Sequence, residues 1–332
     1  MVSRVSGLAA MASVSVDGRG ARVQHSAVSV NPYDVFEVPE TASERNEPMG
    51  SRTKFWFRRD DSPWLFKATR PSHGEDWAEV LAAELAEELG LPHARYQLAT
   101  WRGQQGVVTP TFHHDGFDLV HGNELLQRLD PTYPREGMRY VRTRKHTIAA
   151  VSEALESTRA GLPVDWTPPA GIGGAPQVFA GYLLFDAWIG NTDRHHENWA
   201  VLLNRTDALV HLAPTFDHAA SLGSHETDEA RARRLTTRDR TSSVEAYVRR
   251  PKARSALYGD ENDRRPLNML TAYQRWVASA PTDVWVERLR LVDAGRIEEL
   301  VGRIPSPPGS GPARAFASAM LKANRERILT GE

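Results

Sequence analysis

The chain has 332 residues, 25% of them charged and 40% apolar, with a formal net charge of −1. That length suffices for one large domain or two lobes around a sizeable core, and so balanced a charge favours neither nucleic acid nor an anionic membrane. Without cysteine the chain has no disulfide, thiolate zinc site or cysteine nucleophile. No apolar run approaches the ~18 residues that cross a bilayer, and serines interrupt the apolar part of the first sixteen residues, so they make a weak secretion signal. The expectation is a cytoplasmic protein with no membrane partner.

Residues 1–30 are small, polar and aperiodic, which predicts a flexible tail. Strands are predicted at Val35–Val38, Lys54–Arg58 and Trp64–Ala68, which are short, aromatic-rich and bounded by turn residues such as Asp60-Asp61-Ser62-Pro63. A helix follows over Glu75–Leu89, with Val80, Leu81, Leu85 and Leu89 as its apolar stripe and Gly90 as its stop. Strands at Tyr96–Trp101 and Gly106–Phe112 complete a small α+β lobe ending near residue 115. The remainder is mostly helical. Pro163–Pro176 is a Pro/Gly-rich connection, and Gln177–Ile189 reads as a buried helix. Trp199–Leu203 and Leu209–Ala213 are short strands around a turn, and residues 224–266 are polar and charge-dense. Amphipathic helices run from Leu267, broken at Pro305–Pro312. The expected division is a tail over 1–30, an N-lobe over 31–118 and a C-lobe over 119–332.

The segment richest in chemistry is Gly190-Asn191-Thr192-Asp193-Arg194-His195-His196-Glu197-Asn198, followed by the strand pair and Thr215-Phe216-Asp217. A hairpin brings the start of its first strand and the end of its second to one side. With the turn centred near Thr206, Asn198 falls roughly opposite Pro214, with Asp217 just beyond and Asp193 entering from the same side. Two acids and an amide thus converge. Mg²⁺ prefers oxygen ligands and keeps several waters, so one carboxylate and one amide oxygen beside phosphate oxygens suffice to hold it. A second carboxylate orients an attacking hydroxyl or accepts its proton. The set suits phosphoryl transfer, where positioning and charge neutralisation carry the chemistry, and Asp-x₄-Asn with a later Asp has kinase-loop spacing. Read blandly, Asp and Asn near strand ends are turn formers.

Asn191-Thr192-Asp193-Arg194-His195-x-x-Asn198 with Phe216-Asp217-His218 resembles the HipA-like serine/threonine kinases, and the Asp-Arg-His-x-x-Asn string also resembles phosphoinositide kinases. The resemblance spans about residues 48–330. It implies a two-lobed, kinase-like α+β fold, with a β-rich N-lobe carrying one main helix and a larger helical C-lobe. It also implies Asp193 as catalytic base, Asn198 and Asp217 as Mg²⁺ (or Mn²⁺) ligands, and His195 as a brace of the loop. Family members often have a lysine where this chain has Glu197. Gly50-Ser51-Arg52-Thr53-Lys54 resembles the family's phosphate loop, with Gly50, Ser51, Thr53 and Lys54 toward ATP, although most Gly-Ser turns bind nothing. Only five of the 41 basic residues are lysine, so Lys67, among apolar strand residues, is a candidate for a role that arginine cannot fill; the bland alternative for such a lysine is to snorkel. The kinase reading pairs it with nucleotide phosphates and with Glu79 on the following helix, leaving Glu84 and Glu87 solvated. Val107–Asn123 would be the inter-lobe hinge. The family's loop serine is typically autophosphorylated; here Met49 precedes Gly50, and Ser51 and Thr53 are the loop hydroxyls. An antitoxin-like regulatory partner belongs to the same resemblance.

Rival readings are a lipid or small-molecule kinase, a non-catalytic pseudokinase acting as a binding module, and a metal hydrolase using His195, His196, His211 and His218. Their spacing fits no HExxH site. The protein substrate is not readable. Residues 231–254 carry nine basic residues against two acids, a run that is usually a solvated face but would also receive an acidic or RNA-bound substrate.

Overall fold

The computed structural model describes residues 31–42, 45–46 (backbone only), 53–70, 73–112, 115–134, 143–250 and 255–332. The predicted tail, with Gly50 and Ser51 of the phosphate loop, lies outside them. Residues 31–332 form one compact unit.

Strands β1 (Val35–Glu37), β2 (Arg45–Asn46), β3 (Lys54–Arg59), β4 (Ser62–Ala68), β5 (Gln97–Trp101) and β6 (Gln104–Pro110) form one sheet, ordered β1-β5-β6-β4-β3-β2. The β3–β4 turn is only Asp60-Asp61, and both residues are left-handed, with φ of 50° and 61°. This is the two-residue geometry whose twist matches the flanking strands. Because side chains alternate across a sheet, register sorts the faces. Phe55 pairs with Phe66, and Phe66 with Val108. These three residues are fully buried on one face. Lys54 pairs with Lys67, Lys67 with Val107 and Val107 with Leu98, so both lysines lie on the opposite face.

Helix α1 (Glu75–Leu89) packs over that second face and ends at Gly90, whose φ of 65° favours glycine. It is buried well beyond the predicted stripe, with Ala78, Ala82, Ala83 and Ala86 inside as well as Glu75, Asp76 and Glu79. The reason lies in the C-terminal helices α8 (Val284–Leu291) and α9 (Ala294–Gly302), which cover its other side. Arg288 donates to the Leu89 carbonyl at 3.1 Å, and Arg296 pairs with Glu88 at 2.5 Å. Arg303 pairs with Glu84 at 2.9 Å, so Glu84 is ion-paired as well as partly solvated, whereas Glu87 is exposed.

A second sheet, ordered β7-β8-β9, joins β7 (Phe117–His121), β8 (Ala200–Asn204) and β9 (Val210–Leu212). Strand β7 falls where only a hinge was expected. Around this sheet lie α2 (Gly122–Leu129), α3 (Ile148–Ser157), α4 (Ala175–Ile189), α5 (Asp228–Thr236), α6 (Val244–Val248), α7 (Met269–Ser279) and α10 (Gly311–Thr330). All of α4 is buried except Pro176 and Gln177. It stops at Gly190, φ 64°, where an added Cβ would sit 2.3 Å from the Met320 methyl. No helix among the described residues is long and apolar enough to cross a membrane.

Candidate active site

The loop after α4 is held by one buried ion pair. Asp186 sits within the apolar α4, and Arg194, fully buried, forks onto it: Nε donates to Oδ2 at 2.7 Å and Nη2 to Oδ1 at 2.8 Å. Burial works against the guanidinium charge, but the Asp186 carboxylate outweighs it and keeps the group firmly protonated. Asn191 Nδ2 donates to Asp186 Oδ1 at 2.9 Å. The remaining guanidinium donors reach the Asn198 carbonyl, Thr215 Oγ1 at 2.9 Å and His218 Nε2 at 3.2 Å. A single side chain therefore ties Asn198, at the mouth of β8, to the residues on either side of Asp217. His218 is kept neutral, its pKa pushed well down by burial and then by the Arg194 charge.

The β8–β9 register pairs Val201 with Leu212. Continued outward, it sets Asn198 by Thr215, one residue from the predicted position. Asp193 N–H donates to Asn191 Oδ1 at 3.1 Å, and Asn198 Nδ2 donates to the Asp193 carbonyl at 2.7 Å. With its nitrogen committed, Asn198 has Oδ1 as the amide atom to offer a cation. The Asp193 carboxylate is 39% exposed, with His195 Nε2 at 3.7 Å from Oδ2. His195 Nδ1 accepts from the Glu197 N–H at 3.2 Å. His195 thus borders the Asp193 carboxylate, while Arg194 bears the structural network.

Lys67 arrives from β4 of the first sheet. Its ammonium donates to Asp217 Oδ1 at 2.6 Å. Asp217 has φ 57°, and its backbone N–H meets the Tyr96 hydroxyl at 3.3 Å. Burial would raise the Asp217 carboxyl, but the Lys67 charge and its hydrogen bond prevail and hold it far below the usual carboxylate range. Glu79 is fully buried on α1, near the Tyr96 hydroxyl and the His218 backbone, and no strong hydrogen bond satisfies its carboxylate oxygens. Desolvation pushes its pKa up to about 7, against the pull of Lys67. The expected Lys67–Glu79 pair is therefore a proximity of charges, and the close contact of Lys67 is with Asp217. A cleft beside them is lined by Lys67, Glu75, Asp76, Glu79, Val107 and Ala219.

Thr53 and Lys54 are described. Thr53 accepts from the Ala68 N–H at 2.9 Å, and Lys54 stands opposite Lys67. The four histidines of the hydrolase reading do not converge. His196 is buried against the Tyr133 hydroxyl at 2.8 Å, with its pKa drawn down to about 4 by burial and then the His195 charge. His211 bonds the Leu162 carbonyl at 2.9 Å, and His218 serves the Arg194 network. The basic segment is partly drawn inward. Arg231 is buried and donates to the Gly223 and Ser224 carbonyls at 2.9 and 3.1 Å, and Arg234 pairs with Glu226 at 3.1 Å.

Sequence reasoning missed Asp186 and gave Arg194 no role. The signal was an acid inside an otherwise apolar helix, which survives there only when paired, and an arginine eight residues on.

Fold and site define a chain of protein-kinase-like architecture. Residues 47–279 match the HipA-like C-terminal domain, and the chain belongs to the HipA-like kinase family. Its fold is similar to that of the Helicobacter pylori proinflammatory kinase CtkA, at 19% identity and a TM-score of 0.67, over 90% of this chain and 96% of that one. HipA from Shewanella oneidensis, solved with HipB and operator DNA, matches at 13% identity and a TM-score of 0.46, over 86% of this chain and 64% of that one. A search of curated protein sequences found no match.

Proposed function

We propose that this chain is an ATP-dependent protein serine/threonine kinase. The supporting observation is the meeting of three elements: the Asp193–Asn198 loop, Asp217 beyond β9, and Lys67 from the other sheet, which closes on Asp217. In this reading Asp193 orients the substrate hydroxyl and takes its proton as the oxygen attacks the γ-phosphorus of ATP, and ADP leaves. Asn198 Oδ1 and the Asp217 carboxylate, kept anionic by Lys67, are hard oxygen donors of the kind that suit Mg²⁺ or Mn²⁺. That ion would supply charge neutralisation at the phosphates. Lys67 would hold phosphate oxygens, with the buried Glu79 facing its charge. Gly50, Ser51, Thr53 and Lys54 would form the phosphate cradle, and phosphorylation of Ser51 or Thr53 would oppose ATP by adding nearly two negative charges there. The lobes are read as residues 31–118 and 119–332. An antitoxin-like protein is included among the expected partners on family membership alone.

The test is transfer of labelled γ-phosphate by the purified chain with Mg²⁺, to itself or to protein substrates. Wild type should label, and Asp193→Asn and Asp217→Ala should each lose at least about a hundredfold. Undiminished transfer by Asp217→Ala sinks the assignment. Labelling of lipid or small molecules with no protein labelled would move the substrate class.

A further inference from the structure

At the edge of the Lys67 cleft, which Glu75 also lines, the start of α1 meets the segment that follows Asp217. Gly74 N–H donates to the Ser224 carbonyl at 3.0 Å, and next to this bond three side chains converge. His225 Nε2 lies 3.2 Å from Glu75 Oε1, and His73 Nδ1 lies 3.8 Å from the same oxygen. One ligand atom from each residue falls within 4.8 Å of the others.

We propose that His73, Glu75 and His225 form a binding site for a zinc-type divalent cation. Zinc bonds of about 2.0–2.2 Å to nitrogen and oxygen set tetrahedral ligand atoms roughly 3.3 Å apart. The two distances to Glu75 Oε1 therefore already bracket what the ion needs. Two imidazoles and one carboxylate are a borderline donor set that selects zinc over Mg²⁺, which wants oxygen and octahedral geometry. Three protein ligands leave the fourth position to water, and the outer side is open to it, since His73 and His225 are 34% and 45% exposed.

The competing account is an ion-pair hub on the buried Glu75. Arg70 Nη1 is 3.7 Å from Oε1, and Arg70 N–H donates to Oε2 at 3.2 Å. That account leaves one atom unexplained. His73 Nδ1 is buried and has no hydrogen-bond partner among the described residues, a costly state for a polar atom that a metal bond would relieve. The Arg70 backbone bond uses Oε2, so it is compatible with an ion on Oε1.

Glu75 opens the helix that carries Glu79 one turn later, and His225 lies eight residues past Asp217. A bound ion would fasten α1 to the post-Asp217 segment. Any resulting effect on transfer rests on the kinase reading, whereas the binding itself does not, so it is measured without nucleotide.

The experiment is calorimetric titration of the chelator-stripped full chain with zinc chloride. One equivalent should bind with a Kd at or below the micromolar range. His73→Ala and His225→Ala should each weaken binding by about tenfold or more, as perturbing a metal's ligand environment does, with far-UV circular dichroism unchanged. If either variant fails to fold, X-ray absorption on the zinc-loaded wild type decides instead, with two imidazoles and no more expected in an all-N/O shell. Absence of binding at about 100 µM zinc, unchanged affinity in both variants, or a shell without two imidazoles would each overturn the site.

Discussion

Glu79 is held at a cost, a fully buried carboxylate with no strong hydrogen bond. Its pKa is raised by desolvation from an ordinary 4.5 to about 7, so between those values the folded chain holds a proton that the unfolded chain has lost. The stability this gives is fully present below pH 4.5 and disappears as pH rises through 7. Glu79→Gln, which has no such titration, should therefore gain on wild type by ~2–3 kcal/mol between pH 5 and pH 8 in urea melts. Asp76, raised to about 6 by burial, is common to both proteins and cancels. A flat difference across that range would mean that Glu79 is not desolvated. Lys67→Arg keeps the charge but replaces a compact ammonium, 2.6 Å from Asp217, with a planar fork that is larger. Phosphotransfer should fall by at least about tenfold, and full activity would move the phosphate contact to Lys54 across the strand pair. That Asp193, Asn198 and Asp217 would lie together was legible from their spacing, and Lys67 stood out by its rarity. Its partner was not legible, because contact across 150 residues leaves no local mark.

At the scale of elements, local signals placed α1 residue for residue and most strands to within two, since period and turn chemistry are written in adjacent residues. Strands β2 and β7, helices α2 and α3, and one strand pairing escaped. Among the described residues β7 pairs with β8 alone, and the parallel pairing of β1 with β5 depends on chain far away. The α4-to-loop junction carries the sharpest energetic consequence. Arg194→Met would leave Asp186 buried and unpaired, and Asp186→Leu would strand the guanidinium. Each should cost about 3–5 kcal/mol. The double variant should cost less than the sum by about 1–3 kcal/mol, since neither charge is then orphaned. Denaturant melts of the four proteins check this, and strict additivity would show that the pair is not a unit.

Across the whole molecule, the apolar interior ignores the boundary between sheet and helices. Leu98 and Val107 of the first sheet, Trp77, Leu81 and Leu85 of α1, and Phe179, Trp188 and Trp285 of the helical part belong to one continuous core. Helix α1 is the link, with one side on the sheet and the other fixed to α8 and α9 through Leu89, Glu88 and Glu84. Separating the proposed lobes would expose both sides of α1 and leave its buried acids without the surroundings that fix them. The fold should therefore melt as one unit. Tryptophan fluorescence, which reports residues on both sides, and far-UV circular dichroism, dominated by the helices, should give coincident urea transitions. Arg303→Glu, which sets like charges against Glu84, should lower the shared midpoint without splitting it. Two resolved transitions in wild type would show that the core is divided. A split seen only in Arg303→Glu would locate the coupling in the ion pairs rather than in the apolar packing.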